Sequence, residues 1–469
     1  MTVCRNRAVT FIAVLISLFL ISASLLPGVR ALATSEITEI GDSRTDRSPR
    51  MALTGDTLVA VWLALDGPNT DIFYNVRSQG AWSGVAKLWE STGNERDVAL
   101  CSSGGKIYAA WATDSSQDTN GSDWDIAMSV YQPGSGWSSP VELTASNDTV
   151  NDYAPFLLPY QNGVIVLWHS IDGGEGRILM SVFTGSVSEP IAVTSDWKDM
   201  NQNPTAAFLD GTLWIAWSSA DNQFTDGADL DIVAAPFFMA NHTLGAAVQI
   251  SDPADTEDDM YPCMLAFGDS LSMAWQTKDK TVGQGDDEDI GLAIYGGEWS
   301  IHALTSPHDT GDDTYPQLFT FDNSLWMVWQ SSDPSLTGED DWDIVVAEIK
   351  GDALGTVIVV SEGKDRMDEG GVFVRGHDAL QSGEDILVVW ESVNPGITDG
   401  ADRDIALAVL AQPGQDKIDE ESSKIYILPI FVLVGFLGGC AALLLLKRAA
   451  FGKRKDGEKK QRRKKQIRN

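Results

Sequence analysis

Short apolar stretches recur along the chain, and each ends in a tryptophan. Leu213–Trp217 and Leu325–Trp329 are two of them, and a short apolar run of this kind is typical of a buried β-strand. An Asp-Ile pair opens another apolar strand 14 residues after the tryptophan in five units, and the corresponding distance is 9 residues in two units. The tryptophans are Trp62, Trp111, Trp168, Trp217, Trp275, Trp329 and Trp390, and the pairs begin at Asp71, Asp125, Arg177 (in place of Asp), Asp231, Asp289, Asp343 and Asp404.

Each unit contains four short strands. In the fourth unit the pattern predicts strands at Thr205–Leu209, Thr212–Ser218, Ile232–Phe238 and Ala247–Ser251. Repeats of this length indicate stacked units that share one core. Four antiparallel strands repeated seven times predict an all-β fold, a seven-bladed β-propeller, with the tryptophans packed between neighbouring blades.

The two ends of the repeat predict how the ring closes. The seventh unit stops after its third strand, Ile405–Leu410. Upstream of the first unit, Glu36–Ile40 resembles the fourth strands that contain Val141 and Ile301. We therefore expect an N-terminal strand to complete the last blade, so that the ring has no open junction.

The segments outside the repeat predict a membrane-anchored surface protein. Arg5 and Arg7 precede the apolar run Ala8–Leu26 and an A-x-A signal ending at Ala33, which is typical of a signal peptide, with an uncleaved anchor as the alternative. Ile425–Leu446 is 22 residues without a charge, long enough for one transmembrane helix. The predicted order is a signal peptide at 1–33, the propeller ectodomain at 34–411, a linker at 412–424, the transmembrane helix at 425–446 and a tail at 447–469.

Charge gives the orientation of this predicted chain. The tail after the span holds 12 Lys or Arg residues, so the positive-inside rule predicts a cytoplasmic tail and an extracellular propeller at the cell membrane. The whole chain has 67 acidic and 33 basic residues and a formal net charge of −34. Because leader and tail are basic, the propeller is more acidic still. This excludes nucleic acid as a partner and favours cations or cationic partners.

The acidic residues concentrate in the loops after strands two and four, which emerge on one face of a propeller. Carboxylates two residues apart on a strand point to the same side, and calcium tolerates irregular cages of oxygen ligands. A calcium site in one or more blades is therefore one interpretation, and turn-capping or solvated aspartates are the other. The candidate ligands are Asp123, Asp125, Asp221, Asp229, Asp231, Asp287, Asp289, Asp333, Asp341, Asp343, Asp402 and Asp404.

Arginines cluster in three adjacent units and offer a second candidate site. Arg50, Arg96 and Arg375 lie in or near first strands, which line the central channel, and guanidinium groups suit carboxylate or phosphate ligands. The alternative is ion pairing within the chain. The acids available for such pairing are Asp42, Asp46, Asp97 and Asp365.

The repeat at residues 36–411 resembles the sialidase-like, BNR-repeat β-propellers. The likeness rests on the W-x-S-x-D and D-x-D-I rhythm, as in Trp329, Ser331, Asp333, Asp341 and Asp343-Ile344, although the S-x-D-x-G-x-T-W box of that family is absent. The resemblance implies a propeller fold and, for a sialidase, an arginine triad, a Tyr-Glu nucleophile pair and an acidic Asp. The tyrosines weighed for the pair are Tyr74, Tyr108 and Tyr153.

Three functions remain open from the sequence. The first is a cell-surface binding, adhesion or scaffold module for an extracellular glycan or protein partner, with possible use of calcium. The second is a sialidase-like, glycoside-acting enzyme at the Arg50, Arg96 and Arg375 sector, and the third is a structural subunit of an envelope complex. No nucleophile–base pair is evident among the chain's 5 histidines, which favours the first function and leaves enzymatic activity open.

Overall fold

The computed structural model describes residues 30–38, 44–115, 123–144, 149–194, 199–227, 229–253, 256–279, 287–305, 311–337, 342–361, 376–393 and 403–411. The predicted linker, transmembrane helix and tail lie outside these residues. Within the described ranges, no helix is long and apolar enough to cross a membrane. The membrane anchor therefore stays a prediction.

The seven-bladed β-propeller is confirmed. Seven antiparallel sheets form the blades, and their first strands contact one another in a closed ring.

The strands of each blade have the following bounds. Blade 1 contains β2 (Asp46–Thr54), β3 (Thr57–Asp66), β4 (Asn69–Ser78), β5 (Ala81–Trp82) and β6 (Ala86–Lys87). Blade 2 contains β7 (Glu95–Ser103), β8 (Lys106–Thr113), β9 (Asp125–Gln132), β10 (Gly136–Trp137) and β11 (Val141–Glu142), and blade 3 contains β12 (Asn151–Tyr160), β13 (Gly163–Asp172), β14 (Glu175–Phe183) and β15 (Ile191–Ala192). Blade 4 contains β16 (Asn201–Leu209), β17 (Thr212–Ser219), β18 (Asp231–Phe238), β19 (Thr243–Leu244) and β20 (Val248–Gln249); blade 5 contains β21 (Met260–Phe267), β22 (Ser270–Thr277), β23 (Asp289–Tyr295) and β24 (Trp299–Ala303). Blade 6 contains β25 (Asp313–Phe321), β26 (Ser324–Ser331), the short helix α1 (Pro334–Thr337), β27 (Asp343–Lys350), β28 (Ala353–Leu354) and β29 (Ile358–Val359); blade 7 contains β30 (His377–Ser382), β31 (Asp385–Ser392), β32 (Asp404–Ala411) and β1 (Arg30–Glu36).

The N-terminal strand completes blade 7, as the repeat predicts. Strand β1 pairs antiparallel with β32 from Arg30 opposite Ala411 to Glu36 opposite Ala406. The N–H of Ile37 then donates to the carbonyl of Ile405 at 3.0 Å. The predicted position of this strand, Glu36–Ile40, is wrong, because β1 runs from Arg30 to Glu36 and the predicted leader boundary at residue 33 falls inside it.

The repeat tryptophans form the core between blades. All seven are at most 1% exposed, and Trp217 packs among Ile165 and Leu167 of the preceding blade. In four blades the indole Nε1 also donates to a buried side chain at the start of its own first strand. These bonds join Trp168 to Asp152 (3.0 Å), Trp217 to Asn201 (2.9 Å), Trp275 to Asp259 (3.2 Å) and Trp329 to Asp313 (2.8 Å).

The first strands of blades 1 to 6 begin earlier than the sequence pattern predicts, because each of these six contains a β-bulge. In blade 4 the pairing register shifts between Gln202 and Thr205, so the apolar run that the sequence reveals starts only after the bulge. The bulged residue has a positive φ in blades 1 to 6, a region that non-glycine residues rarely adopt. These residues are Ser48, Asp97, Ala154, Asn203, Tyr261 and Tyr315, with φ between 48° and 55°.

Side chains of the preceding blade accept hydrogen bonds from several bulge N–H groups. Glu391 accepts from Ser48 at 2.7 Å, and Gln276 accepts from Tyr315 at 3.4 Å. These contacts require two blades, so a local sequence pattern does not reveal them.

His169 makes the equivalent contact between blades 3 and 4. Its Nδ1 accepts the N–H of Asn203 at 3.4 Å, and burial, with a smaller effect of Arg96, lowers its pKa to about 3 from 6.5. The neutral imidazole therefore contributes stability that is complete above pH 6.5 and is lost as the pH falls from 6.5 toward 3.

We expect His169→Gln to flatten the acid side of the stability profile. Native stability should fall by about 1.4 kcal/mol per pH unit below 6.5 through this group alone, so between pH 7 and 5 the native chain should lose about 2 kcal/mol more than the variant. Denaturant unfolding at both pH values measures this difference. Equal losses would show that His169 is not held neutral.

Candidate functional site

The candidate metal ligands fall into different structural roles. Asp221 and Asp333, four residues after their tryptophans, are buried and cap turns, since their Oδ1 atoms accept the N–H groups of Gln223 (2.9 Å) and Ser335 (2.8 Å). Asp123 is buried and Asp287 is half-buried. Asp341 and Asp402 lie outside the described residues.

In five blades, the aspartate that opens the third strand holds the end of the outer strand. In blade 4, Ser251 donates its hydroxyl to Asp231 at 2.8 Å and accepts the N–H of Ile232 at 2.9 Å. Four other blades have the same hydroxyl–carboxylate contact, which supports the interpretation that these aspartates cap turns. It joins Thr144 to Asp125 (2.8 Å), Thr305 to Asp289 (3.4 Å), Ser361 to Asp343 (2.9 Å) and Thr38 to Asp404 (3.1 Å).

One loop brings three carboxylates together. Oxygens of Asp226, Asp229 and Asp231 in blade 4 all lie within 4.8 Å of one another. Burial, with smaller contributions from the Asp229 and Asp226 carboxylates, raises the pKa of Asp231 to about 6 against the opposing hydrogen bonds of Ser251 and Gln249. Asp226 was not among the sequence candidates, because it precedes Gly227 and lies outside the D-x-D pattern.

Arginines occupy equivalent positions at the inner edge of the loop face. Arg47 pairs in register with Leu63 in blade 1, and Arg96 pairs with Ala112 in blade 2. Leu63 and Ala112 each follow the repeat tryptophan, so Arg47 and Arg96 hold the same place in adjacent blades. Tyr153 holds this place in blade 3.

Two aromatic rings and a carboxylate fix the side chain of Arg96. The guanidinium carbon lies 4.7 Å from the ring centre of Tyr153 and 5.6 Å from that of Trp124, and Nε donates to Asp97 at 2.9 Å. The side chain of Arg96 is nevertheless 49% exposed. The aromatic contacts and Asp97 therefore hold the guanidinium in a fixed orientation while part of it stays exposed.

Blade 7 adds another guanidinium beside Arg47. Nη1 of Arg403 lies 3.1 Å from the buried carboxylate of Glu391, and Arg47 donates to the hydroxyl of Thr70 at 3.2 Å. Burial raises the pKa of Glu391, while the N–H of Ser48 and the charges of Arg403 and Arg47 oppose this shift. We call the residues Arg47, Arg96, Trp124, Tyr153 and Arg403 the mouth sector.

The sequence candidates contribute unequally to this sector. Arg96 belongs to it and also forms the expected ion pair with Asp97. Arg50 lies beyond the bulge and donates to the carbonyls of Pro49 (2.7 Å) and His377 (3.3 Å), so Arg47 is the blade 1 residue equivalent to Arg96. Arg375 lies outside the described residues.

Only one of the three tyrosines considered as a nucleophile lies beside an arginine. Tyr74 packs edge-on against Trp137, and the hydroxyl of Tyr108 donates to the carbonyl of Asn162 at 3.0 Å. Tyr153 contacts Arg96 instead.

Comparison with known proteins supports the fold. No family model and no curated protein matches the chain. Among solved structures, the polysaccharide lyase Uly1 is 11% identical over 80% of this chain and 92% of its own, with a TM-score of 0.52. A Fusarium graminearum GH93 α-L-arabinofuranosidase with arabinobiose is 14% identical over 68% of this chain and 98% of its own, with a TM-score of 0.45.

A sialidase is also among the similar structures. Trypanosoma rangeli sialidase with the inhibitor DANA is 11% identical over 69% of this chain, with a TM-score of 0.43. The chain spans only 58% of that protein's length. These neighbours confirm the sialidase-like resemblance as a likeness of fold. The chain is a seven-bladed β-propeller whose structural neighbours include glycoside-acting enzymes.

Proposed function

We propose that the propeller is a cell-surface binding module that holds an anionic glycan at the mouth sector. The observation that carries this proposal is the exposed guanidinium of Arg96, fixed between Trp124 and Tyr153. Arg47 and Arg403 add positive charge in the neighbouring blades. Such a concentration of arginine and aromatic side chains is unexpected on a chain with a net charge of −34 unless a ligand uses it.

The arrangement suits a sugar that carries a carboxylate or sulfate. The terminal nitrogens of a guanidinium present two parallel donors to such a group, and aromatic side chains supply apolar contact area at a low entropic cost. In this proposal Arg96 binds the anion and Trp124 contacts the sugar ring. The predicted signal peptide and span would place this face outside the cell, where glycans occur.

A panel of carboxylated, sulfated and neutral oligosaccharides, probed with the full-length chain, tests this function. Native protein should bind acidic members, and Arg96→Gln and Trp124→Ala should each weaken binding by about 10- to 100-fold. Gln202→Ala is the matched control, because Gln202 holds the same repeat position in blade 4. Equal binding by native and Arg96→Gln protein would contradict the proposal.

The second candidate is a glycoside-acting enzyme in the same sector. Two buried acids, Glu391 in contact with Arg403 and Asp378 near Arg50, have pKa values raised by burial, as a general acid requires. However, both carboxylates bond to backbone N–H groups: Asp378 accepts from Met51 at 2.6 Å, and Glu391 accepts from Ser48 at 2.7 Å. These bonds indicate a structural role, so binding is the better-supported function. Release of reducing sugar from any panel member would favour the enzyme.

We also propose that calcium binds at Asp226, Asp229 and Asp231 and stabilises blade 4. Three carboxylates this close repel one another, and a divalent cation would offset that repulsion. Calcium at 100 times its dissociation constant should add about 2.7 kcal/mol to the free energy of unfolding.

Thermal unfolding in calcium, then in chelator, measures this stabilisation. Asp229→Asn should abolish the calcium effect, whereas Asp287→Asn, the equivalent position in blade 5, should retain it. A melting temperature that calcium does not change would assign the three aspartates to solvated turns.

A further inference from the structure

The outer strands of six blades share an irregularity in their pairing that the outer strand of blade 5 lacks. In blade 2, Trp137 pairs with Tyr131 and Val141 pairs with Met128, so the outer strand has one residue more than its partner between these pairs. This extra residue is a β-bulge, and it splits the outer strand into two short pieces. The same shift occurs in the outer strands of blades 1, 3, 4, 6 and 7.

Blade 5 lacks the extra residue. Its outer strand β24 pairs with β23 without a shift, from Trp299 opposite Tyr295 to Ala303 opposite Gly291. The sequence shows the same difference, because the chain advances six residues from Trp137 to Leu143 but only five from Trp299 to Leu304. Among the seven described outer strands, β24 alone is regular.

A regular outer strand presents a continuous row of backbone donors and acceptors at the rim. Proteins usually protect such edges with bulges, proline or charge, and blade 2 illustrates this with its bulge and Pro140. Strand β24 contains no proline and no acidic residue, and its only basic residue is His302. Its central side chain, Ile301, is 46% exposed.

The space beside β24 is also open. A crevice of about 370 Å³ separates the outer strands of blades 4 and 5, with Ile250, Pro253 and Ile301 as well as Asp252 and His302 in its lining. Val248, on the blade 4 side, is 43% exposed. An added strand would therefore gain backbone hydrogen bonds from β24 and apolar contacts beside it.

We propose that β24 pairs with the β24 strand of a second copy of this chain, antiparallel and about a two-fold axis at Ile301. In this register each Ile301 faces its own equivalent, Ser300 faces His302, and Trp299 faces Ala303. An antiparallel edge of this kind is self-complementary, as a two-fold dimer requires. The proposal is independent of the ligand at the mouth sector.

The net charge of the chain opposes pairing of two copies, but the residues of β24 itself do not add to this repulsion. Two molecules with a net charge of −34 repel each other, so self-association requires an edge without carboxylates, and β24 has none. The acid that precedes the strand, Glu298, would face Leu304 of the other copy. No like charges therefore face each other in this register.

The mass of the full-length chain in detergent, measured by sedimentation velocity, tests the dimer. Native protein should be dimeric, and Ile301→Lys should weaken the dimer by at least about tenfold. Insertion of one serine between Ser300 and Ile301 should have the same effect, because it gives the outer strand of blade 5 the extra residue that forms the bulge in blade 2. Val141→Lys, at an exposed aliphatic position of the bulged blade 2 strand, should leave the dimer unchanged.

Ile301→Cys gives a direct test of the register. Residues opposite each other across an antiparallel pair are close enough for a disulfide, so oxidised Ile301→Cys protein should run as a covalent dimer. Ser300→Cys should not cross-link to itself, because its partner is His302. A monomeric native chain, a dimer that survives Ile301→Lys, or equal cross-linking of both cysteine variants would overturn the proposal.

Discussion

Deletion of residues 1–38 is expected to prevent cooperative folding of the ring, whereas deletion of residues 1–29 is expected to preserve it. The longer deletion removes β1 and leaves the third strand of blade 7 as an unpaired edge next to blade 1. It also removes Ile37, which is 2% exposed and packs with Val389 and Leu407. An exposed edge of this length promotes aggregation.

Point variants separate loss of the strand from loss of its buried side chain. Ile37→Asp places an unpaired charge in the core and should cost about 4 kcal/mol or more, whereas Ile37→Val should cost about 1 kcal/mol. Thermal unfolding with light scattering measures both variants and both deletions. A cooperative melt of the chain that lacks residues 1–38, at the native temperature, would show that β1 does not close the ring.

Trp329→Ala is expected to lower the free energy of unfolding by about 3–5 kcal/mol. Trp329 is 0% exposed, and the substitution leaves a cavity between blades 5 and 6. It also removes the indole donor to Asp313, a carboxylate that is 0% exposed. Both effects act in the same direction.

Trp329→Phe distinguishes packing from the hydrogen bond. Phenylalanine keeps most of the apolar contact but cannot donate to Asp313, so we expect a loss of about 1–3 kcal/mol. Denaturant unfolding provides the comparison. If the phenylalanine variant were as stable as the native chain, the indole–carboxylate bond would contribute nothing, and only packing would explain the recurrence of tryptophan.

The fold was largely predictable because each blade repeats the same local information. Apolar runs that end in tryptophan identify the second strands, and the spacing from Trp329 to Asp343 marks the third. The likeness of Glu36–Ile40 to the fourth strands predicted that an N-terminal strand closes the ring, but not that this strand lies at Arg30–Glu36. What the sequence did not show is the bulges, such as that at Ser48, because their N–H groups are bonded to the neighbouring blade.

The candidate site was less predictable because it forms between blades. Arg96 was identified, but Trp124 and Arg403 each precede an Asp-Ile pair, where the repeat has no preferred residue. Ring closure brings Arg403, near the end of the described chain, beside Arg47 near its beginning. The metal candidates were chosen by spacing, and this missed Asp226, which contributes to the cluster through a turn.

The most direct test of the proposed function is the dissociation constant of one acidic oligosaccharide, measured by titration calorimetry against native, Arg96→Gln and Gln202→Ala protein. The two variants change equivalent positions on different sides of the channel mouth. The account predicts a dissociation constant about 10- to 100-fold higher for Arg96→Gln and a change of less than about twofold for Gln202→Ala. Equal affinities for all three proteins would place the ligand elsewhere on the propeller.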